Sequence, residues 1–576
     1  MANHLNYCFF VIFILIHVIG FQVYAVPYDY SYTAECLEKP LIPQYSGGIV
    51  VNPELNEGLK GWTSFGNAKV EHAEANDGNK YIVSTARNLS DQSLSQHFDL
   101  DKDKLYTFSA WLQVSNGSAD IAAVFKTANG SITAGWVSAQ EGCWSMLKGG
   151  LVVDVSGPAQ LYFQCNNTGI DIRADSVSLQ PFTHEEWKSH QDVSIEKARK
   201  TRVRLLAVDQ QNQPIRNATV SISLQQSHFP LGCAINQNIL GNGAYQNWFS
   251  SRFRYTVFEN ELKWYSNERS WGVEDYSVSD ALMQFARSRG IAVRGHNIFW
   301  ENPAFQPSWV PGLNYNDLSF AVNRRINSVT RKYRGQLLHW DVMNENLHYN
   351  FFESRLGSSA SVDNYLRANR DDPKAIPFLN EYNTIEESGD GVSSPGKYLQ
   401  MMRGLRKRGY KGPLGIGVQG HFRFANLPYT RSAIDILATE GSPIWVTELD
   451  VKSGGNQAGD LDQILRELHS HGAVKGIVIW SAWSPQGCYA MCLTDNNFRN
   501  LATGDVVDRF RNQFAAKVSG TTDSDGFFET SLFHGEYEVK ITHPNINAHT
   551  NISHVKTITL APDQQNPTLY RFNIHV

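Results

Sequence analysis

The sequence predicts an α/β chain: a (β/α)8 barrel preceded by an all-β, jelly-roll-like sandwich, with small β segments flanking the barrel. Three observations predict it. Residues 46–182 alternate apolar and polar residues in short runs such as "KYIVSTA", "LYTFSAWLQV" and "AQLYFQC", with turns like "DGN" and "NGS" between them. Residues 229–516 carry eight longer apolar runs, from "LGCAIN" to "GIVIWSAW", with helical segments between most of them. The stretches on either side, 203–228 and 517–576, read as strand pairs too short to bury a core alone.

In chain order, residues 1–25 hold an apolar run that ends in Ala25 before Pro27, the pattern of a signal peptide. A signal anchor is the alternative, and no other segment could span a bilayer. Six Asn-X-Ser/Thr sequons, at Asn88, Asn116, Asn129, Asn166, Asn217 and Asn551, fit a secreted glycoprotein of the extracellular space or cell wall. Residues 183–202 are charged and strand-poor, a linker or short helix. The two β stretches flanking 229–516 could form one small sandwich into which the barrel is inserted. Within the barrel, "SVSDALMQFARSRG" puts Leu282, Phe285 and Ala286 on one helical face and Gly290 just past its end. "SPGKYLQMMRGLRKRG" repeats the design with Tyr398, Met402, Leu405 and Gly409.

A net charge of −5 and a pI near 6.4, with no long basic run, argue against a nucleic-acid partner. Aromatics are 12% of residues, and such flat side chains suit stacking on sugar rings. Seven cysteines less Cys8 leave an even set compatible with disulfides. Cys143 with Cys165, and Cys488 with Cys492, are the local pairs, and none has zinc-site spacing. No metal or cofactor is expected, and the chain is expected to be a monomer.

The barrel runs end in polar residues. Strand two ends in Glu259 and Asn260, three in His296 and Trp300, and four in Asn344 and Glu345. Strand five ends in Asn380, Glu381 and Asn383, six in Gln419 and His421, seven in Glu448 and Asp450, and eight near Trp480. The C-terminal strand ends of such a barrel form its active-site mouth. Glu345 and Glu448, on strands four and seven, are the pair that glycoside hydrolysis requires: one protonated to assist the leaving oxygen, one ionised to meet the sugar carbon.

"WDVMNE", "VTELDV", "RGHNIFW", "ENELKW" and "GVQGHF", in order along the barrel, resemble glycoside hydrolase family 10, the retaining endo-β-1,4-xylanases, and the arrangement resembles the plant members. Residues 46–182, with "GWTSFG" and "DIRADSVSLQ", are more loosely similar to a family-22 carbohydrate-binding module. The resemblance implies a TIM-barrel hydrolase that cuts β-1,4 linkages in xylan by double displacement. Glu345 would be the acid/base and Glu448 the nucleophile. Asn344 would bind the sugar 2-hydroxyl, and His421 and Asp450 would keep Glu448 ionised. Glu259, Asn260, Lys263, His296, Trp300, Gln419 and Trp480 match positions that bind substrate. Trp62, Tyr81, Arg87, Trp136 and Trp144 are candidates for a stacking cleft in the N-terminal module.

The chain departs from the family pattern at Glu301, where a His is usual, at Glu381, where an Asp is usual, and at Cys488, where a second Trp is usual. Trp483 or Tyr489 could replace that stacking face. The alternatives to a hydrolase are a non-catalytic cell-wall xylan-binding protein, or a transglycosylase using the same carboxylates.

Overall fold

The computed structural model describes residues 26–515, 517–545, 550–561 and 568–574. The expected signal at 1–25 lies outside these residues. Among the described residues no helix is long and apolar enough to cross a membrane.

Eight parallel strands form the barrel: β1 (Leu231–Ile235), β2 (Tyr255–Phe258), β3 (Ala292–Trp300), β4 (His339–Asn344), β5 (Ile376–Glu381), β6 (Gly415–Val418), β7 (Ile444–Val451) and β8 (Val474–Ile479). Each pairs with its neighbours in sequence, and β1 pairs with β8 to close the ring. The interior is filled by alternating bulk. A Cβ on Gly415 or Gly476 would overlap the ring of Phe378 or Trp445, so a hole on one strand receives a phenyl or indole from its neighbour. The two helices expected from their periodicity form at Ser277–Ser288 and Pro395–Lys407. Gly290 and Gly409 follow them with positive φ, as helix termination requires.

The N-terminal unit is a sandwich of two five-stranded antiparallel sheets, with Leu94, Phe108, Phe125, Phe163 and Leu179 between them. The stacking cleft expected there does not form from the five candidates. Trp62 and Trp144 are buried, and Arg87 is committed to five carbonyls, those of Ser90, Gln92, Cys165, Asn167 and Ile170. Tyr81 packs edge-on against Trp144 and under Arg173. The expected Cys143–Cys165 bridge is also corrected: Cys143 pairs with Cys36, and Cys165 is a free thiol in the sandwich core. Leu37 forms a β-bridge with Trp144, which brings Cys36 to Cys143 on the outer face, whereas Cys165 points inward. Cys488 does pair with Cys492.

Where a linker or short helix was expected, Thr183 and Glu186 form a capping box that starts a 16-residue helix, α1 (His184–Arg199). It is packed on the barrel: Trp187 and Gln191 donate to Glu467 at 2.8 and 2.7 Å, and Arg199 donates to the carbonyls of His469, His471 and Val474. A second, smaller sandwich surrounds the barrel in sequence. In one sheet Lys200–Val208 lies between Phe527–Phe533 and Thr568–Asn573. In the other, Thr219–Ser227 lies between Val518–Thr521 and Gly535–Asn545, which pairs on with Thr550–Leu560. Five sequon asparagines, Asn88, Asn116, Asn129, Asn166 and Asn217, are exposed, and Asn551 lies in the strand Thr550–Leu560.

The N-terminal sandwich is fastened to the barrel through buried groups. Lys148 reaches Asp435 at 2.7 Å, and Tyr28 and His471 bind the same carboxylate at 2.7 and 2.9 Å. Ser432 donates to the Gly149 carbonyl at 2.9 Å. Such a buried anion is tolerable because every oxygen has a partner.

Candidate active site

Glu345 leaves β4 with φ of 58°, a left-handed conformation that costs a non-glycine residue of order 1 kcal/mol or more. Its N–H bonds the Asn380 carbonyl at 2.9 Å, which holds the turn. The turned carboxylate receives the Trp300 indole N–H at 2.6 Å and the Gln419 amide at 3.2 Å. Burial pushes its pKa up to about 7, helped by the neighbouring charges of Glu381 and Glu448, while the bonds from Trp300 and Gln419 oppose the shift. The group is therefore protonated over the mildly acidic range.

Glu448, on β7, titrates in the opposite sense. Burial alone would raise it, but the His296 and His421 imidazoles and the Lys263 ammonium outweigh that and hold the carboxyl at about 2. Asn380 donates to its Oε1 at 2.8 Å and to the Asn344 side-chain oxygen at 2.9 Å, so one amide aligns both. Thr447 donates to the Asn380 oxygen and orients that amide. His421 lies between Glu448, 3.6 Å away, and Asp450, 2.9 Å away. Burial would lower the imidazole, but its bonds to these two carboxylates raise it well above the ordinary value, so it stays cationic. Burial raises Asp450, against the pull of His421.

The remaining candidates gather beside this pair. Lys263 is buried, with its ammonium 4.5 Å from the Trp300 ring centre and 5.7 Å from that of Trp480. It donates to Asn260 at 3.2 Å. Burial lowers its pKa, against the pull of Glu448, Glu345, Glu259 and Glu261. Glu259 accepts from Asn236 at 3.2 Å, and burial raises it. His296 bonds Asp341 at 2.9 Å and meets the Trp480 ring edge-on at 5.6 Å. Trp300 stacks on Phe305 at 4.1 Å and 10°. All seven expected substrate contacts thus converge on one mouth.

Of the two replacements for the second Trp, Trp483 is packed with Tyr245 and Phe498 and bonds Asn496, so it belongs to the core. Tyr489, between the bridged Cys488 and Cys492, is 78% exposed and stands 5.3 Å from the His421 ring. Glu301 turns away from the expected substrate contacts: it is fully buried, raised to about 8 by burial, and caps a helix by accepting the Phe352 N–H at 2.9 Å.

Several site residues carried no expected role. Asp341 and Arg294 anchor His296 from inside the barrel, joined to each other at 2.6 Å. Their signal is the alternation of strand residues: Arg294 with His296, and His339 with Asp341, meet one another inside the barrel. His348, in the loop after β4, bridges Glu381 and Asp390 at 2.8 Å each. Burial would lower it, but those carboxylates raise it to about 9. Among the described residues no group of three or more His, Cys, Asp or Glu could hold a metal ion.

A barrel with an ionised carboxylate on β7 facing a protonated one on β4, ringed by indoles and amides, is the apparatus of a glycoside hydrolase. The family model of glycosyl hydrolase family 10 matches residues 221–497, and the chain belongs to that family. It is 39% identical over 562 residues to the "Endo-1,4-beta-xylanase 5-like" of Arabidopsis thaliana, covering 95% of each chain. It is 41% identical over 467 residues to "Endo-1,4-beta-xylanase 5" of the same plant, covering 79% of this chain and 82% of that one. "Endo-1,4-beta-xylanase 4", again from Arabidopsis thaliana, is 37% identical over 471 residues, with 78% and 82% covered.

Proposed function

We propose that the chain is a secreted endo-1,4-β-xylanase that cuts xylan with retention of configuration. Glu345, protonated at mildly acidic pH, gives its proton to the leaving oxygen while Glu448 attacks the anomeric carbon. The glycosyl-enzyme ester is then opened by water, whose proton Glu345 takes back. The observation that carries this reading is the gap between the two carboxyl pKa values, about 7 for Glu345 and about 2 for Glu448, which supports Glu345 as the acid and Glu448 as the nucleophile.

The supporting roles follow from the contacts. Asn344, aligned by Asn380, would bond the 2-hydroxyl of the sugar under attack. His421, backed by Asp450, keeps Glu448 ionised and aimed. Glu259, Asn260, Lys263, His296 and Gln419 offer hydroxyl partners, and Trp300 and Trp480 offer ring faces. No cofactor enters these steps.

The test is reducing-end release from β-1,4-xylan with NMR of the first-formed anomer. Retention is expected, and Glu345→Gln or Glu448→Gln should reduce the rate by at least a thousandfold in a folded protein. Full activity in either purified variant, or an inverted first product, would sink the proposal.

A further inference from the structure

The N-terminal sandwich touches the barrel at a loop that leads to the acid. Trp136 donates its indole N–H to the Ser388 carbonyl at 3.0 Å. Its ring lies against Gly391, where a Cβ would come within 3.1 Å of the indole. Asp390, between these two contacts, accepts from the Asn383 side chain at 2.8 Å and pairs with His348 at 2.8 Å. His348 reaches Glu381 through its other nitrogen and lies flat on the Tyr382 ring, 3.9 Å away at 10°. Burial raises the Tyr382 hydroxyl, and the nearby Glu345 charge adds to that shift.

The direction of this chain of contacts matters. Apart from Asn344 and Gln419, the proposed groups for the attacked sugar cluster at the ends of β2, β3 and β8. A general acid stands beside the group that departs, so the departing sugars extend from Glu345 over the loops after β4 and β5. Tyr382 and His348 form that wall; the loop carrying Tyr382 is held from behind by another folded unit, and Asp390 ties His348 to it.

We propose that Trp136 is a positioning residue for the leaving-group side of the cleft. By clamping residues 388–391 it sets Tyr382 and His348 beside Glu345, which makes the N-terminal sandwich a working part of the cleft that grips the departing xylo-oligosaccharide. This rests on the hydrolase reading above. Small displacements of a positioning group are enough to lower binding of the sugars it contacts.

The experiment compares xylohexaose with an aryl β-xylobioside, whose leaving group needs no sugar contact beyond the acid. In the full chain, Trp136→Ala should raise KM for xylohexaose about fivefold to tenfold, with kcat within about twofold. Both constants for the aryl substrate should stay within about twofold. Trp136→Phe, which keeps the ring on Gly391, should recover most of the loss. Lys397→Ala, which removes a separate contact between sandwich and barrel (Lys397 to Asp120, 2.8 Å), should leave the ratio between the two substrates unchanged. An unchanged KM for xylohexaose in Trp136→Ala would overturn the inference. So would an equal effect of Lys397→Ala, because the contact would then serve docking in general. A wild-type chain inactive on both substrates would overturn the hydrolase reading instead.

Discussion

Trp300 donates its indole N–H to Glu345 at 2.6 Å, yet the carboxyl it serves still titrates near 7. A hydrogen bond to the ionised form lowers a pKa, so burial is winning against that bond. Trp300→Phe removes the opposing bond and should move the alkaline limb of the kcat/KM profile to higher pH. The acid limb, which reports Glu448 near 2, should not move with it. A pH–rate series on a soluble xylo-oligosaccharide checks this, and an alkaline limb moved to lower pH would contradict it.

The same shift has a stability consequence. A carboxyl whose folded pKa is raised costs nothing below its unfolded value near 4.3, and its cost is complete above the folded value near 7. Glu345→Gln removes that cost. The variant should match the parent in thermal unfolding at pH 4 and exceed it at pH 8, by at most about 4 kcal/mol. Calorimetry at the two pH values decides it, and equal gains at both would be the wrong sign of dependence.

Tyr489 is held out at the mouth by the Cys488–Cys492 loop, next to His421. Loss of its ring should weaken sugar binding by about 1 kcal/mol, the scale of one aromatic contact. Steady-state kinetics of Tyr489→Ala on xylan should therefore show KM up about fivefold with kcat little changed. A collapse of kcat would mean that the ring supports His421 instead of substrate.

Lys148 and Asp435 form an almost fully buried pair between the N-terminal sandwich and the barrel. Lys148→Met leaves the carboxylate with only His471 and Tyr28, and breaking such a pair typically costs 3–5 kcal/mol. Chemical denaturation followed by tryptophan fluorescence should show a lower midpoint, or separate transitions for the two units.

The barrel was legible because its strands are buried on both faces and so read as continuous apolar runs, whose polar ends mark the mouth. Glu345 and Glu448 stood out as acidic residues at matching ends of two such runs. The role of Trp136 was not legible. Alternation says that a side chain leaves the sheet on one face, but not whether that face meets solvent, sugar or another domain. Trp62 and Trp144 misled for the same reason, since an indole in a core and an indole in a cleft have one signature. The Cys36–Cys143 bridge depends on a strand-like approach of Leu37 to Trp144, and neither cysteine has a neighbour in sequence to announce it. His348 and Asp390 meet across two loops whose conformations no periodicity encodes.

Both strands of the smaller sandwich that precede the barrel, Lys200–Val208 and Thr219–Ser227, are flanked on each side by strands that follow it. During synthesis the catalytic barrel must therefore emerge while two bare β-strands wait for partners some three hundred residues downstream. Unpaired edges invite aggregation and capture by quality control. A polypeptide terminated just after its last catalytic residue would own every chemical group it needs and still display those edges. Closing the split sandwich thus falls to strands between residues 518 and 573, the last to be made.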